Sequence, residues 1–269
     1  MVEDQRNYKG LFLILGAGKF GKKALKYAIE QNYPFIILVD EDKQQLEEIT
    51  SVKILDIAEF PENVISRLRE QDPQSTRDRP EIFGLNSKVD MIFPLFDVLI
   101  PDWIVPVVPM HIVAAYSKWK LEASQLEIKI PNEGVLDQIS SQLPDALILN
   151  RDVENAVITL SYAPKGALCP DNCLGPLHFC PNFNIDKPRT ITEIIGDLGL
   201  SGFHYQKINL ESKQLTGGLG AIPGEKFEEG VNSLKRLIER EDLWDNFLIV
   251  STTCNCHGVI NIFQIRGSF

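Results

Sequence analysis

Two sets of residues in this chain could do chemistry, and they lie far apart along it. The first is Gly16-Ala17-Gly18-Lys19-Phe20-Gly21, with Asp40 standing 19 positions after the last glycine. Glycines at this spacing suit a turn that carries a pyrophosphate. The first permits the tight turn, the second lets backbone approach the phosphates, and the third lets the following helix pack closely on its strand. That helix would present unpaired N–H groups to the phosphates. A carboxylate at Asp40 could accept hydrogen bonds from an adenosine ribose and would repel a 2′-phosphate, so the expected ligand is NAD in preference to NADP.

The second set is the cysteines, all five of which lie in the C-terminal half. Cys169, Cys173 and Cys180 form one group; Cys254 and Cys256, followed by His257, form the other. Thiolates are soft ligands for zinc and iron–sulfur clusters, and a metal site is commonly assembled from two distant loops. The five cysteines are therefore expected to converge as metal ligands. The spacing C-x₃-C-x₆-C matches neither a zinc knuckle nor a ferredoxin run, so it does not separate zinc from iron–sulfur. Buried or redox-active thiols, and disulfides, stay open as alternatives.

The elements around these residues indicate how they are positioned. Residues 11–15 are a continuous apolar run, as a strand buried on both faces requires. Ala24, Leu25, Ala28 and Ile29 recur at helical spacing after the glycines, and residues 35–39 form the next buried strand, ending at Asp40. Residues 52–55 read as a third strand. The apolar runs 91–95 and 103–108 read as strands four and five, and residues 111–126 resume helical spacing.

In an open parallel sheet the ligand lies beyond the carboxyl ends of the strands. Asp97 and His111 follow the last two runs and are the candidate catalytic residues. His111 could act as a general acid or base, or be a satisfied polar group at a helix start.

The segments GAGKFG, VDEDKQQLEEI and VKILD carry a resemblance. Residues 11 to about 60 resemble Rossmann-type NAD(P)-binding domains, and are most similar to the N-terminal nucleotide domain of potassium-uptake regulators. In that family a short strand ending in an acid lies near the adenine, which the resemblance transfers to Asp56. The cofactor-binding set is then Gly16, Gly18, Lys19, Phe20, Gly21, Asp40 and Asp56. Nothing after residue 60 extends the likeness, so it implies a fold and a dinucleotide but not potassium regulation.

The C-terminal half reads differently. Residues 146–150 and 156–162 suggest a hairpin, and Thr190-Ile191-Thr192-Glu193 fits a capping box. Residues 204–210 are strand-like, residues 225–240 form a helix, and residues 247–251 and 259–265 are further strands. The glycine-rich stretch 216–224 reads as a flexible or lid loop, with an anion site as the rival. Glu225, Glu228 and Glu229 count against an anion there.

The expected fold class is α/β. It combines an N-terminal Rossmann-like parallel sheet with helices on both faces, over residues 1–128, and a C-terminal α+β domain carrying the cysteine cluster, over 129–269.

The net charge of −10 divides into −4 for residues 1–125 and −6 for 126–269, which argues against binding a nucleic-acid backbone. The polar start, with Glu3 and Asp4, argues against a secretory signal and for a cytoplasmic location. Asp97, Asp102 and four prolines interrupt the longest apolar region, so no membrane segment is expected. The functional expectation is an NAD-dependent oxidoreductase with a cysteine-ligated metal or iron–sulfur site. The rival is a non-catalytic NAD/redox-sensing module. The small-molecule substrate or effector is not identified, and a homodimer is left open.

Overall fold

The computed structural model describes residues 6–7, 10–49, 52–55, 80–240 and 246–266. The chain divides into two compact units: residues 1–110 with 219–228, and residues 111–218 with 229–269. Both mix helices with sheets that contain parallel pairs.

Unit 1 is built on β1 (Leu11–Leu15) and β2 (Phe35–Asp40), which pair in parallel, with every residue of β1 and all of β2 up to Val39 buried. A strand covered on both faces has no polar side to display, which is why these runs show no alternation. Between them, α1 (Lys19–Glu30) turns Gly21, Ala24, Leu25 and Ala28 inward. After β2 comes the short α2 (Lys43–Glu47), capped by the Asp42 side chain on the Gln44 N–H, and then β3 (Lys53–Leu55). The strand β4 (Glu81–Asn86) lies between β2 and β3 and is parallel to both. On the other side of β1 runs β5 (Trp103–Pro106), also parallel, and the strand Leu219–Pro223 pairs antiparallel with β5.

The expected third strand is present as β3, beside β4. Two expectations for this unit are corrected. Residues 91–95 are not a strand: they lie inside the 3₁₀ helix Val89–Asp97, which buries Val89, Ile92, Phe93, Leu95 and Phe96. Pro94 has no N–H for a strand ladder, whereas a short helix with inward residues at three- and four-residue spacing tolerates it. The glycine-rich stretch is not a lid, because its second half is the strand Leu219–Pro223 and Gly224 opens a helix.

Unit 2 begins at His111, 18 residues before the expected boundary at 129. The physical reason is α3 (Ile112–Ala123), which packs on the sheet of this unit. Then come β6 (Glu127–Lys129), α4 (Glu133–Ser140) and the hairpin β7 (Ile148–Asp152) with β8 (Val157–Ser161). The helix α5 (Ile191–Gly196) precedes β9 (His204–Glu211). The helix α6 (Gly224–Ile238) precedes β10 (Asn246–Thr253) and β11 (His257–Arg266).

The strand order is β9-β10-β11-β8-β7, with β6 beside β11. Only β9 and β10 among these pairs run parallel. The capping box is present: the Thr190 hydroxyl accepts the Glu193 N–H at 3.1 Å, and Glu193 accepts the Thr190 N–H at 2.7 Å. It starts α5 so that Ile191, Ile194 and Ile195 join Val135, Leu136 and Ile139 of α4 in one core with Ile158, Ile249 and Ile260. Among the described residues no helix is long and apolar enough to cross a membrane.

Candidate functional sites

In unit 1 the three glycines of the turn differ in what a side chain would meet. Gly16 sits at φ +107°, where only glycine is comfortable, and an added Cβ would stand 2.9 Å from the Val107 carbonyl oxygen. At Gly21 a Cβ would be driven into the carbonyl of Gly16. At Gly18 it would meet nothing within 4 Å. So two of the glycines hold the turn against its neighbours, and the middle one leaves open space.

That space belongs to a cavity of about 610 Å³ lined by Gly16, Gly18, Asp40, Ser87, Lys88 and Val108, among others. Gly18 is also the N-cap of α1, with no side-chain cap and no acidic residue in the first turn. The helix thus carries no carboxylate of its own in the first turn, against the positive end of its dipole.

Asp40 does more than face the cavity. Its Oδ2 accepts the Ala17 N–H at 2.6 Å and its Oδ1 accepts the Asp42 N–H at 2.8 Å, tying the glycine turn to the exit of β2. A carboxylate has about four lone-pair sites, so two backbone donors leave acceptor capacity. Lys19 places its Nζ 5.6 Å from the Phe20 ring centroid, and neither side chain lines the cavity. Asp56 falls outside the described residues.

Sequence reasoning passed over Ser87 and Lys88. They follow β4, where the Ser87 N–H donates to the Asp40 carbonyl at 3.0 Å and Asn86 Nδ2 donates to the Glu41 carbonyl at 2.9 Å. The one signal was the apolar core of residues 82–85, too short to separate from a turn without the strand it pairs with.

The two catalytic candidates fall in different units. Asp97 ends the 3₁₀ helix of unit 1 and is not among the residues lining the cavity. His111 belongs to unit 2, where it is the N-cap residue of α3. Its Nδ1 is 2.7 Å from Asn261 Oδ1 and its Nε2 is 2.8 Å from Thr252 Oγ1. Burial, opposed by the Asn261 hydrogen bond, lowers its pKa to about 4. The imidazole is therefore neutral near pH 7, with both nitrogens engaged.

In unit 2 the two cysteine groups approach one another. Cys169 Sγ lies 3.5 Å from His257 Nε2, and Cys254 Sγ lies 3.8 Å from Nδ1 of the same ring. Burial first, then the neighbouring thiols beginning with Cys173, push the Cys169 thiol above its usual range. Cys173 Sγ accepts the Gly175 N–H at 3.4 Å and Asn182 Nδ2 at 3.5 Å. Cys180 is buried in a two-residue strand paired with Ile185–Asp186. All five cysteines are free thiols.

The glycine-rich stretch finds a use here. The Gly218 N–H donates to the Cys173 carbonyl at 2.7 Å, and Gln214 Nε2 donates to the same oxygen at 3.1 Å. A Cβ on Gly217 would stand 2.5 Å from the Asn172 carbonyl oxygen. This glycine pair is a clamp on the first cysteine loop.

A resident metal does not fit this arrangement. Among the described residues, no three His, Cys, Asp or Glu side chains are placed to hold an ion. The side chain of Lys187, only 1% exposed, donates from Nζ to Cys256 Sγ at 2.9 Å and to the Pro176 carbonyl. Lys187 thus occupies a hydrogen-bonding position on the Cys256 sulfur, and the expected five-thiol ligand set is not assembled there.

Fold and sites together define a mixed α/β protein that pairs a glycine-turn cavity in one unit with a thiol-rich site in the other. The family model AF_1314_C, described as "Uncharacterized protein, C-terminal domain", matches residues 113–266, more than half of the chain. The chain belongs to that family. The match covers the thiols and stops short of the glycine turn. No curated protein and no solved structure matches the chain.

Proposed function

We propose that unit 1 is a Rossmann-type domain that binds NAD(H), and that the protein is an NAD(H)-dependent redox protein. The observation that carries this reading is the unequal response of the three glycines to a side chain. Gly16 and Gly21 are closed against backbone, whereas a Cβ at Gly18 would meet nothing within 4 Å, on the wall of the 610 Å³ cavity at the uncapped start of α1. A pyrophosphate needs close backbone approach at the middle glycine and free N–H groups at the helix start. Asp40 braces the turn through Ala17 and keeps acceptor capacity for ribose hydroxyls, while its charge disfavours a 2′-phosphate. Bound nicotinamide supplies hydride transfer; the chain's own residues bind and orient it.

A second reading, redox sensing without turnover, is favoured by one observation. His111 is neutral with both nitrogens engaged, so it is not poised as a general base. Asp97 is not among the residues lining the cavity.

Calorimetric titration of the full chain with NADH and NADPH tests the proposal. NADH should bind more tightly. Gly18→Val should abolish binding while leaving the fold intact, because nothing stands within 4 Å of an added Cβ. Retained affinity in that variant, or equal affinity for NADPH, would overturn the assignment to this turn.

A further inference from the structure

Lys187 is an unusual lysine. Its side chain is only 1% exposed, and its described polar partners are the Pro176 carbonyl and the sulfur of Cys256, with the Tyr162 ring centroid 5.8 Å away. No carboxylate is among them. Burying an isolated ammonium costs several kcal/mol, so such groups are found paired. The acidic group at hydrogen-bonding distance is the Cys256 thiol, itself 7% exposed. Burial, opposed by the hydrogen bond from Lys187, pushes the Cys256 thiol above its usual range.

We propose that Lys187 and Cys256 form an oxidation-sensitive covalent site that takes a hydroperoxide and closes into a sulfur–nitrogen bond. As thiolate beside the ammonium, the Cys256 sulfur attacks the peroxide O–O bond and expels hydroxide, sulfur losing two electrons to the oxidant; the hydroxide takes a proton from Lys187 and leaves as water, so that sulfenic acid and free amine remain side by side. The amine lone pair then lies beside the oxidised sulfur, at a site where nitrogen and sulfur start 2.9 Å apart. Attack of nitrogen on sulfur forms the S–N bond and expels the sulfenic hydroxyl as water.

From thiolate, ammonium and hydrogen peroxide to sulfenamide and two waters, atoms and charge balance with no further co-reactant. A sulfenic acid condenses in this way with a neighbouring nitrogen as it does with a thiol. Hydrogen peroxide, close to water in size, is the hydroperoxide best suited to so enclosed a sulfur.

The bond would tie Pro188 and the start of α5 to the turn that joins β10 to β11, since Lys187 precedes the Thr190 cap and Cys256 precedes β11. The Asn255 carbonyl, next to Cys256, already accepts the Ile191 N–H at 3.4 Å, so little backbone movement is required. This inference does not depend on dinucleotide binding in unit 1.

The test treats the full chain with hydrogen peroxide at neutral pH, blocks free thiols, digests without reductant and reads the peptides by mass spectrometry. A linked pair of peptides joining Lys187 to Cys256, two hydrogens lighter than their sum and separated by a thiol reductant, is expected. Lys187→Met should lose the link and stop at the sulfenic acid or beyond, although the wild-type reading needs no variant. A disulfide from Cys256 to another cysteine, a Cys256 that stays unmodified while Cys169 or Cys254 oxidises, or a bridge that retains an oxygen atom would each overturn the proposal.

Discussion

The glycine turn of unit 1 and the thiol loops of unit 2 are both candidate sites, but they are made in opposite ways. The turn is continuous in sequence: Gly16 and Gly21 are closed by Val107 and by Gly16 itself, Gly18 leaves open space between them, and Asp40 braces the turn through Ala17. The thiol site joins residues 88 positions apart, Cys169 and His257, and a lysine that no spacing rule picks out. The difference teaches that a site built from local backbone geometry announces its ligand in its spacing. A site built from side chains on separate loops announces only its residue types.

The strongest way to break this comparison is Gly21→Ala. If the turn is held by backbone packing, the added methyl is forced onto Gly16, and stability should fall by about 3 kcal/mol or more, the upper range for overpacking. Urea denaturation of the two glycine variants side by side would show it. A Gly21→Ala protein as stable as Gly18→Ala would mean the turn is not locally determined.

Nearly as large an effect is expected from acid, and it belongs to unit 2. The folded pKa of His111 is depressed to about 4 from an ordinary 6.5, so the unfolded chain takes up a proton that the folded chain refuses. Stability from this group is therefore complete above pH 6.5 and is lost as pH falls from 6.5 towards 4, by roughly 3 kcal/mol in all. Denaturation at pH 7.5, 6, 5 and 4.5 should slope in that direction, and His111→Gln should flatten the slope. An unchanged slope would show that the imidazole is not buried neutral.

Asp40→Asn sharpens the comparison within unit 1. Loss of the charge should weaken NADH binding by about tenfold, near 1.4 kcal/mol, and narrow the gap to NADPH. If the affinity for both cofactors is untouched, Asp40 only braces the turn.

The smallest effect is Thr190→Ala, expected to cost about 1 kcal/mol as a lost cap, read as a lower urea midpoint. Because Lys187 lies three residues before this cap, the variant should also slow closure of any bond to Cys256. If the midpoint falls and closure keeps its rate, the two loops are positioned independently of α5.

Much of the architecture was legible before any coordinates. The strands at 11–15 and 35–40, the helix between them, the capping box at Thr190 and the hairpin at 148–161 all follow from rules that act over fewer than about ten residues: burial patterning, capping and turn chemistry. Asp40's position belongs with them, since a strand of known length delivers its last residue to a known edge. What stayed hidden depends on neighbours that are distant in sequence. The 3₁₀ helix at 89–97 was concealed because an apolar run of its length suits strand and helix alike until packing decides. The start of unit 2 at His111 was hidden because a helix carries no label saying which sheet it will cover; the contacts to Thr252 and Asn261 assign it.

The sequence by itself determined that five thiols would share one half of the chain with a histidine beside them. Only the tertiary structure decided that a buried lysine would meet Cys256 and that two glycines would clamp the Cys173 loop. Side chains and loops so far apart are brought together by the packing of whole elements, which no local spacing encodes.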